Sequence, residues 1–196
     1  MRLFELSQLI ESKADTVVFT FGRFNPPTIG HGKLVQKVQE IANQQNADHV
    51  IFLSQTHKKS KDPLSWKDKL SIFRKMFSDA KVSTDASAKT PFMALEALGK
   101  KYDNVIMVVG SDRVEQFKTD MSKYVNDYGI EQFDVVSAGQ RDPDAEGVSG
   151  ASGTKAREFA INGQESDFVN LIAPTSGTEQ QKVALYKAVR KGLGVK

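Results

Sequence analysis

Residues 19–34 read FTFGRFNPPTIGHGKL. The stretch changes character in its middle. On the upstream side, TVVFTF (16–21) is β-branched and aromatic, short, and stopped at Gly22, a pattern that predicts a buried strand. Downstream, from His31 to about Gln45, Leu34, Val35, Val38, Ile41 and Ala42 recur at helical spacing. Between the two lie Arg23, two prolines that stiffen the loop, Thr28, and a histidine set between glycines. A strand that passes through a tight loop into a helix is the opening unit of an α/β sheet, and ligands of such sheets sit beyond the carboxyl ends of the strands. Helix N-termini offer amide N–H groups and the positive end of a dipole, so this junction suits an anion. Thr28 and His31 are placed to donate to phosphate oxygens there, and Arg23 offers a bidentate fork.

The alternation continues along the chain. Residues 2–13 have the spacing of a short amphipathic helix, HVIFLS (49–54) reads as a strand, and LSWKDKLSIFRKMF (64–77) as a helix capped by Ser65. KVST (81–84) is a weak strand, TPFMALEALGKKY (90–102) a helix with Thr90 as cap and Pro91 in its first turn, and NVIMVVG (104–110) a strand. A helix over 112–124, a strand at 133–138, a helix from Gly153 to Ala160 and a final helix from about Thr178 to Leu193 complete the pattern. Strands alternating with helices predict an α/β fold with a doubly wound, Rossmann-like parallel sheet. The whole of 1–196 reads as one domain, with a helical tail from about 165. GQRDPDAEGVSGASG (139–153) is the one long polar loop, and loops of that length are often functional.

Composition narrows the classes. Hydrophobic residues make up 39% of the 196 and charged residues 26%, an ordinary balance for a globular protein. No apolar run reaches the roughly 18 residues of a membrane helix, and the N-terminus lacks the pattern of a secretory signal. Cysteine is absent, which excludes disulfides and thiolate metal sites and agrees with a cytoplasmic protein. The formal charge of +3 is mildly basic, weak evidence for nucleic acid binding, and suits an anionic small substrate as well. The densest basic run, His57 to Lys61, reads as a solvated loop.

Two further segments follow strands or open helices. ASGTKAREFA (151–160) places Ser152 and Thr154 at a helix start with Arg157 one turn in. VVGSDRVEQF (108–117) runs from a strand into Gly110 and Asp112, where a glycine permits close approach of a ligand and an aspartate can accept from a ribose or base, or cap the helix.

GRFNPPTIGH resembles the (H/T)xGH signature of the nucleotidylyltransferase superfamily, which includes nicotinamide-mononucleotide adenylyltransferases, phosphopantetheine adenylyltransferase and the small cytidylyltransferases. SGTKAR resembles its second signature, S-[SG]-T-x-x-R, in the same order along the chain. KKSKDPLSWKDKL resembles a third segment, with Asp62 where relatives carry Asn and Lys69 where they carry Arg. The resemblance covers roughly residues 16–160 and is especially close to proteins of large tailed phages.

It implies transfer of a nucleoside monophosphate, AMP from ATP before CMP from CTP, onto a phosphorylated acceptor such as nicotinamide mononucleotide. Mg²⁺ would arrive with the triphosphate, with no dedicated protein metal site. Thr28, His31 and Arg157 become the expected catalytic residues. Gly22, Arg23, Phe24, Gly30, Gly110, Asp112, Ser152 and Thr154 become the nucleotide-binding ones. Lys58, Lys59, Trp66 and Arg141 are acceptor-side candidates. Relatives form symmetric assemblies, so a homo-oligomer is allowed, in the host cytoplasm if phage-encoded. The competing readings are a cytidylyltransferase acting on a phosphorylated alcohol, and a catalytically silent nucleotide- or nucleic-acid-binding protein.

Overall fold

The computed structural model describes residues 14–139, 152–172 and 177–195. The helix expected over 2–13, Arg141 and most of the polar loop 139–153 lie outside these residues. The opening strand runs as β1, Ala14–Gly22, and the helix after it as α1, Ile29–Gln44. There follow β2 (Asp48–Leu53), α2 (Trp66–Met76), α3 (Pro91–Gly99), β3 (Tyr102–Val109), α4 (Val114–Met121), β4 (Gln132–Ser137), α5 (Gly153–Ile161), α6 (Glu165–Asn170) and α7 (Glu179–Leu193). Local chemistry sets several of the starts. Ser65 accepts from the Asp68 amide to open α2, Thr90 from the Met93 amide to open α3, and Pro91 fills the first turn of α3.

The four strands are all parallel, in the order β2-β1-β3-β4. The alternation within β1 builds two faces. Val17 and Phe19 join Leu95 and Leu98 of α3 and Met121 of α4 on one side of the sheet. Val18 joins Val35, Val38 and Ile41 of α1 and Leu70 and Phe73 of α2 on the other. Each stripe is the set of positions that helical spacing made apolar, so burying it against the sheet removes it from water at about 25 cal/mol per Å². A third cluster joins α5, α6 and α7 around Ala156, Phe168, Leu185 and Val189, and reaches Leu64 and Met76. No helix among the described residues is long and apolar enough to cross a membrane.

Two expected elements are shorter than their sequence pattern. KVST contributes a single parallel bridge, Val82 to Ile51, on the free edge of β2. An aspartate-centred turn ends it: Asp85 Oδ1 accepts from the Ser87 amide at 2.8 Å and from its hydroxyl at 2.6 Å, which bends the chain away. The helix expected over 112–124 divides into a 3₁₀ turn, Ser111–Arg113, and α4, because Arg113 leaves helical backbone at φ −122, ψ −4. The tail adds α6, which sequence spacing did not separate from α7.

The strand order fixes where a ligand belongs. From β1 the chain moves outward through α1 to β2, and later returns through α3 to β3 on the opposite side of β1. The order therefore reverses between β1 and β3, and the crevice beyond their carboxyl ends is the switch point of the sheet.

Candidate active site

The loop after β1 enters this crevice. Gly22 is still in register with Leu53 of β2, and its carbonyl accepts from the Ser54 amide at 2.8 Å. Its lack of a side chain serves packing: a Cβ here would lie 2.6 Å from the Phe24 ring. Phe24 takes a left-handed backbone at φ 45, and its ring is 1% exposed. That ring lies 4.6 Å from the His31 ring and edge-on to Phe73 at 5.4 Å. Phe24, expected on the nucleotide side, has its side chain buried beneath His31. It forms the floor under His31, and the apolar surface of α2 holds it there.

Thr28, expected as a catalytic residue, lies at the N-cap of α1. It is 1% exposed, with its hydroxyl 3.0 Å from His31 Nδ1. The Thr28 amide donates to the same nitrogen at 3.1 Å, and the pair forms a reciprocal capping box at the start of α1. Thr28 therefore aims the His31 ring. An amide can only donate, so Nδ1 is an acceptor and the neutral imidazole carries its proton on Nε2, as a donor. Histidine at the third position of the helix does the work usually given to a capping glutamate. The amide of Ile29 is spent as well, on the carbonyl of Leu171 after α6 at 2.9 Å. The helix end is thus less open than its sequence suggested. Gly30 is exposed in the first turn.

The second signature meets this loop directly. Ser152 caps α5 by accepting from the Lys155 amide at 3.1 Å. Arg157 donates through Nη2 to Thr154 Oγ1 at 3.0 Å and through Nη1 to the carbonyl of Asn25 at 2.9 Å. Residues 132 positions apart are thus joined across the crevice. Burial first, and the Arg23 guanidinium second, lower the pKa of Arg157, while the carboxylates of Asp62 and Glu158 oppose the shift.

Lys69, named in the sequence only for standing where relatives carry Arg, was not among the expected site residues. It is 2% exposed, and its ammonium donates to the carbonyls of Arg23 (3.3 Å) and Ser54 and to the Ser54 hydroxyl (3.1 Å). It pins together the carboxyl ends of β1 and β2. Burial pushes its pKa down to about 8, with Asp62 working against the shift and Arg23 adding to it. Asp62 is itself 4% exposed. Arg23, Lys69 and Arg157 therefore set three cations against one buried carboxylate at the end of β1, a field that attracts anions. A signal for Lys69 existed in the sequence: positions 69, 73 and 76 share the buried face of α2.

The remaining candidates separate. Asp112 is exposed in the 3₁₀ turn, 3.8 Å from the Arg113 guanidinium, and caps nothing; Gly110 before it has ordinary extended backbone. The Ser111 amide donates to the Gly139 carbonyl, tying this loop to the end of β4. Lys58 is exposed and its main chain pairs with Asp62 in a tight turn. The ammonium of Lys59 lies against Gly194, where it meets the negative end of α7 instead of the crevice. Trp66 opens α2 half-buried against the β2 core. Among the described residues no group of three or more histidines and carboxylates is placed to hold a metal ion.

Residues 19–159 match the profile of the cytidylyltransferase-like family. A search of curated sequences finds no significant match. In fold, the chain is similar to a provisionally assigned nicotinate-nucleotide adenylyltransferase of Vibrio parahaemolyticus, with a TM-score of 0.56 at 16% identity over 90% of this chain and 95% of that one. It is equally similar to the nicotinic acid mononucleotide adenylyltransferase of Plasmodium falciparum solved with APC, with a TM-score of 0.57 at 13% identity over 91% of this chain and 96% of that one. With both signatures converging at the switch point of a matching sheet, the chain belongs to the cytidylyltransferase-like family of nucleotidylyltransferases.

Proposed function

We propose that this nucleotidylyltransferase moves AMP from MgATP onto the phosphate of a mononucleotide-like acceptor and releases pyrophosphate. A phosphate oxygen of the acceptor attacks the α-phosphorus. The bond from that phosphorus to the oxygen bridging to the β-phosphate breaks, and pyrophosphate leaves with the electron pair. The nucleophile is already anionic, so no general base is required, and catalysis reduces to positioning and charge neutralisation. His31 donates from Nε2 to oxygens of the reacting phosphate. Arg157 and Arg23 neutralise charge as it moves onto the leaving pyrophosphate, with the hydroxyls of Ser152 and Thr154 beside them. Magnesium comes as part of the substrate, ligated by phosphate oxygens and water.

The observation that carries this reading is the hydrogen bond from Arg157 to the Asn25 carbonyl, which brings the second signature onto the loop of the first. Nicotinamide mononucleotide is the first acceptor to try. Nicotinic acid mononucleotide, named in both structural neighbours, comes beside it. CTP is the second donor, favoured by the description of the family. Pyrophosphate release from each triphosphate against a panel of phosphorylated acceptors tests the proposal. ATP with a pyridine mononucleotide is expected to turn over, and His31→Ala to lower the rate by about 100-fold, the usual scale for a lost donor to developing charge. No turnover with any pair, together with unchanged triphosphate binding by His31→Ala, sinks it.

A further inference from the structure

Asn25 belongs to neither recognised signature position, yet three segments of the chain meet on it. Its side chain is buried, 3% exposed, and both ends of its amide are engaged by one residue: Nδ2 donates to the Leu64 carbonyl at 3.1 Å and Oδ1 accepts from the Leu64 amide at 3.0 Å. Its own carbonyl is the acceptor for Arg157. We propose that Asn25 is a positioning residue: by pairing with the main chain of Leu64 it fixes the carbonyl that holds the Arg157 guanidinium at the crevice. This rests on the assignment of Arg157 to the anion-binding crevice.

The chemistry explains the residue type. A primary amide presents a donor group and an acceptor side by side in one plane, matching the N–H and C=O of a single residue's main chain. An aspartate keeps the acceptors and loses the donor; an alanine loses both. The anchor is itself rigid. Leu64 is 2% exposed in the α5–α7 core, and the neighbouring Pro63 carbonyl lies so close to α7 that a Cβ on Gly192 would come within 2.1 Å of it. The loop after β1 is thus braced through Leu64 against α7, and the carbonyl that orients Arg157 cannot drift. Contact with substrate is not the role of this side chain, since both of its polar ends are paired and it is buried.

Two readouts test the inference. In nitrogen NMR of the arginine guanidinium groups, with Arg157→Lys identifying the signal, the parent is expected to show restricted rotation of Arg157. Asn25→Asp and Asn25→Ala should show fast, averaged signals. Separately, calorimetry of magnesium pyrophosphate should show about tenfold weaker binding for Asn25→Asp than for the parent. In an Arg157→Ala background the same change should cost less than about twofold, because the effect runs through Arg157. A purely structural role predicts costs that multiply in full, and that result overturns the inference, as does parent-like Arg157 rotation in a folded Asn25 variant. If one Asn25 variant fails to melt cooperatively, the other carries the test. If neither folds, Gly192→Ala, which presses on the same brace from α7, replaces them with the same expectations. Pyrophosphate binding that depends on Asn25 through Arg157, in a parent that turns over no triphosphate, leaves this inference standing and removes the proposed reaction.

Discussion

At the scale of single residues, the capping box at the start of α1 carries both fold and chemistry. Thr28→Val keeps the branched shape and deletes the hydroxyl, which costs the cap about 1 kcal/mol. It also removes the Thr28 hydroxyl from His31 Nδ1 and leaves the Thr28 amide in place. A thermal midpoint a few degrees lower and a turnover reduced by about tenfold are expected; unchanged turnover alongside the lower midpoint would show that the hydroxyl does not aim the ring. Lys69 offers a second prediction, in pH. Its folded pKa of about 8 lies below the usual 10.5, so between those values the unfolded chain holds the extra proton. Stability owed to this group therefore rises as the pH climbs from about 8 towards 10.5. Urea unfolding of the parent and of Lys69→Met should diverge in the parent's favour over that window, with the alkaline titration of Tyr102, raised to about 12, common to both. A constant difference would contradict it. His31 and Arg157 were legible in the sequence because their motifs are local. Asn25 and the partners of Lys69 were not, because the groups they bind lie 39, 46 and 15 positions away.

At the scale of elements, periodicity was a reliable guide wherever an element is buried on a predictable face, as in β1, α1, α2 and β3. It overran where the local backbone departs from the pattern: the Asp85 turn ends the edge strand after Val82, and the non-helical backbone of Arg113 separates the 3₁₀ turn from α4. The packing of α7 was invisible for a different reason. The fit of Gly192 against Pro63 depends on two segments more than a hundred residues apart, and only a close approach demands the glycine. Gly192→Ala places a methyl group against the Pro63 carbonyl. Overpacking of this kind costs about 1–3 kcal/mol, and the midpoint in urea should fall accordingly. An alanine accepted without loss would mean that α7 can slide away from the 62–64 segment, and the brace on Leu64 would be weaker than its geometry implies.

At the scale of the whole molecule, the sheet and the C-terminal helices are stitched together at the site itself. The Ile29 amide bonds to the Leu171 carbonyl, Arg157 to Asn25, and Leu64 belongs to the α5–α7 core while its main chain holds the loop after β1. The tail, which carries no motif, is on this view part of what keeps the loop after β1 and the start of α5 in place. Leu185, 1% exposed at the centre of the helical core, tests it. Leu185→Ala removes buried methyl groups at a cost of about 2–5 kcal/mol. The molecule's single tryptophan, Trp66, packs in the cluster that α1 and α2 form with the sheet, two residues along from Leu64, so its fluorescence reports the sheet side of that junction while far-ultraviolet dichroism reports all the helices. If the stitching makes one cooperative unit, the two signals should follow a single transition in urea, and Leu185→Ala should shift both by the same amount. If the helical signal moves and Trp66 stays, the C-terminal helices unfold by themselves. The site would then owe its geometry to the sheet alone, and the coupling argued through Leu64 and Arg157 would fail with it.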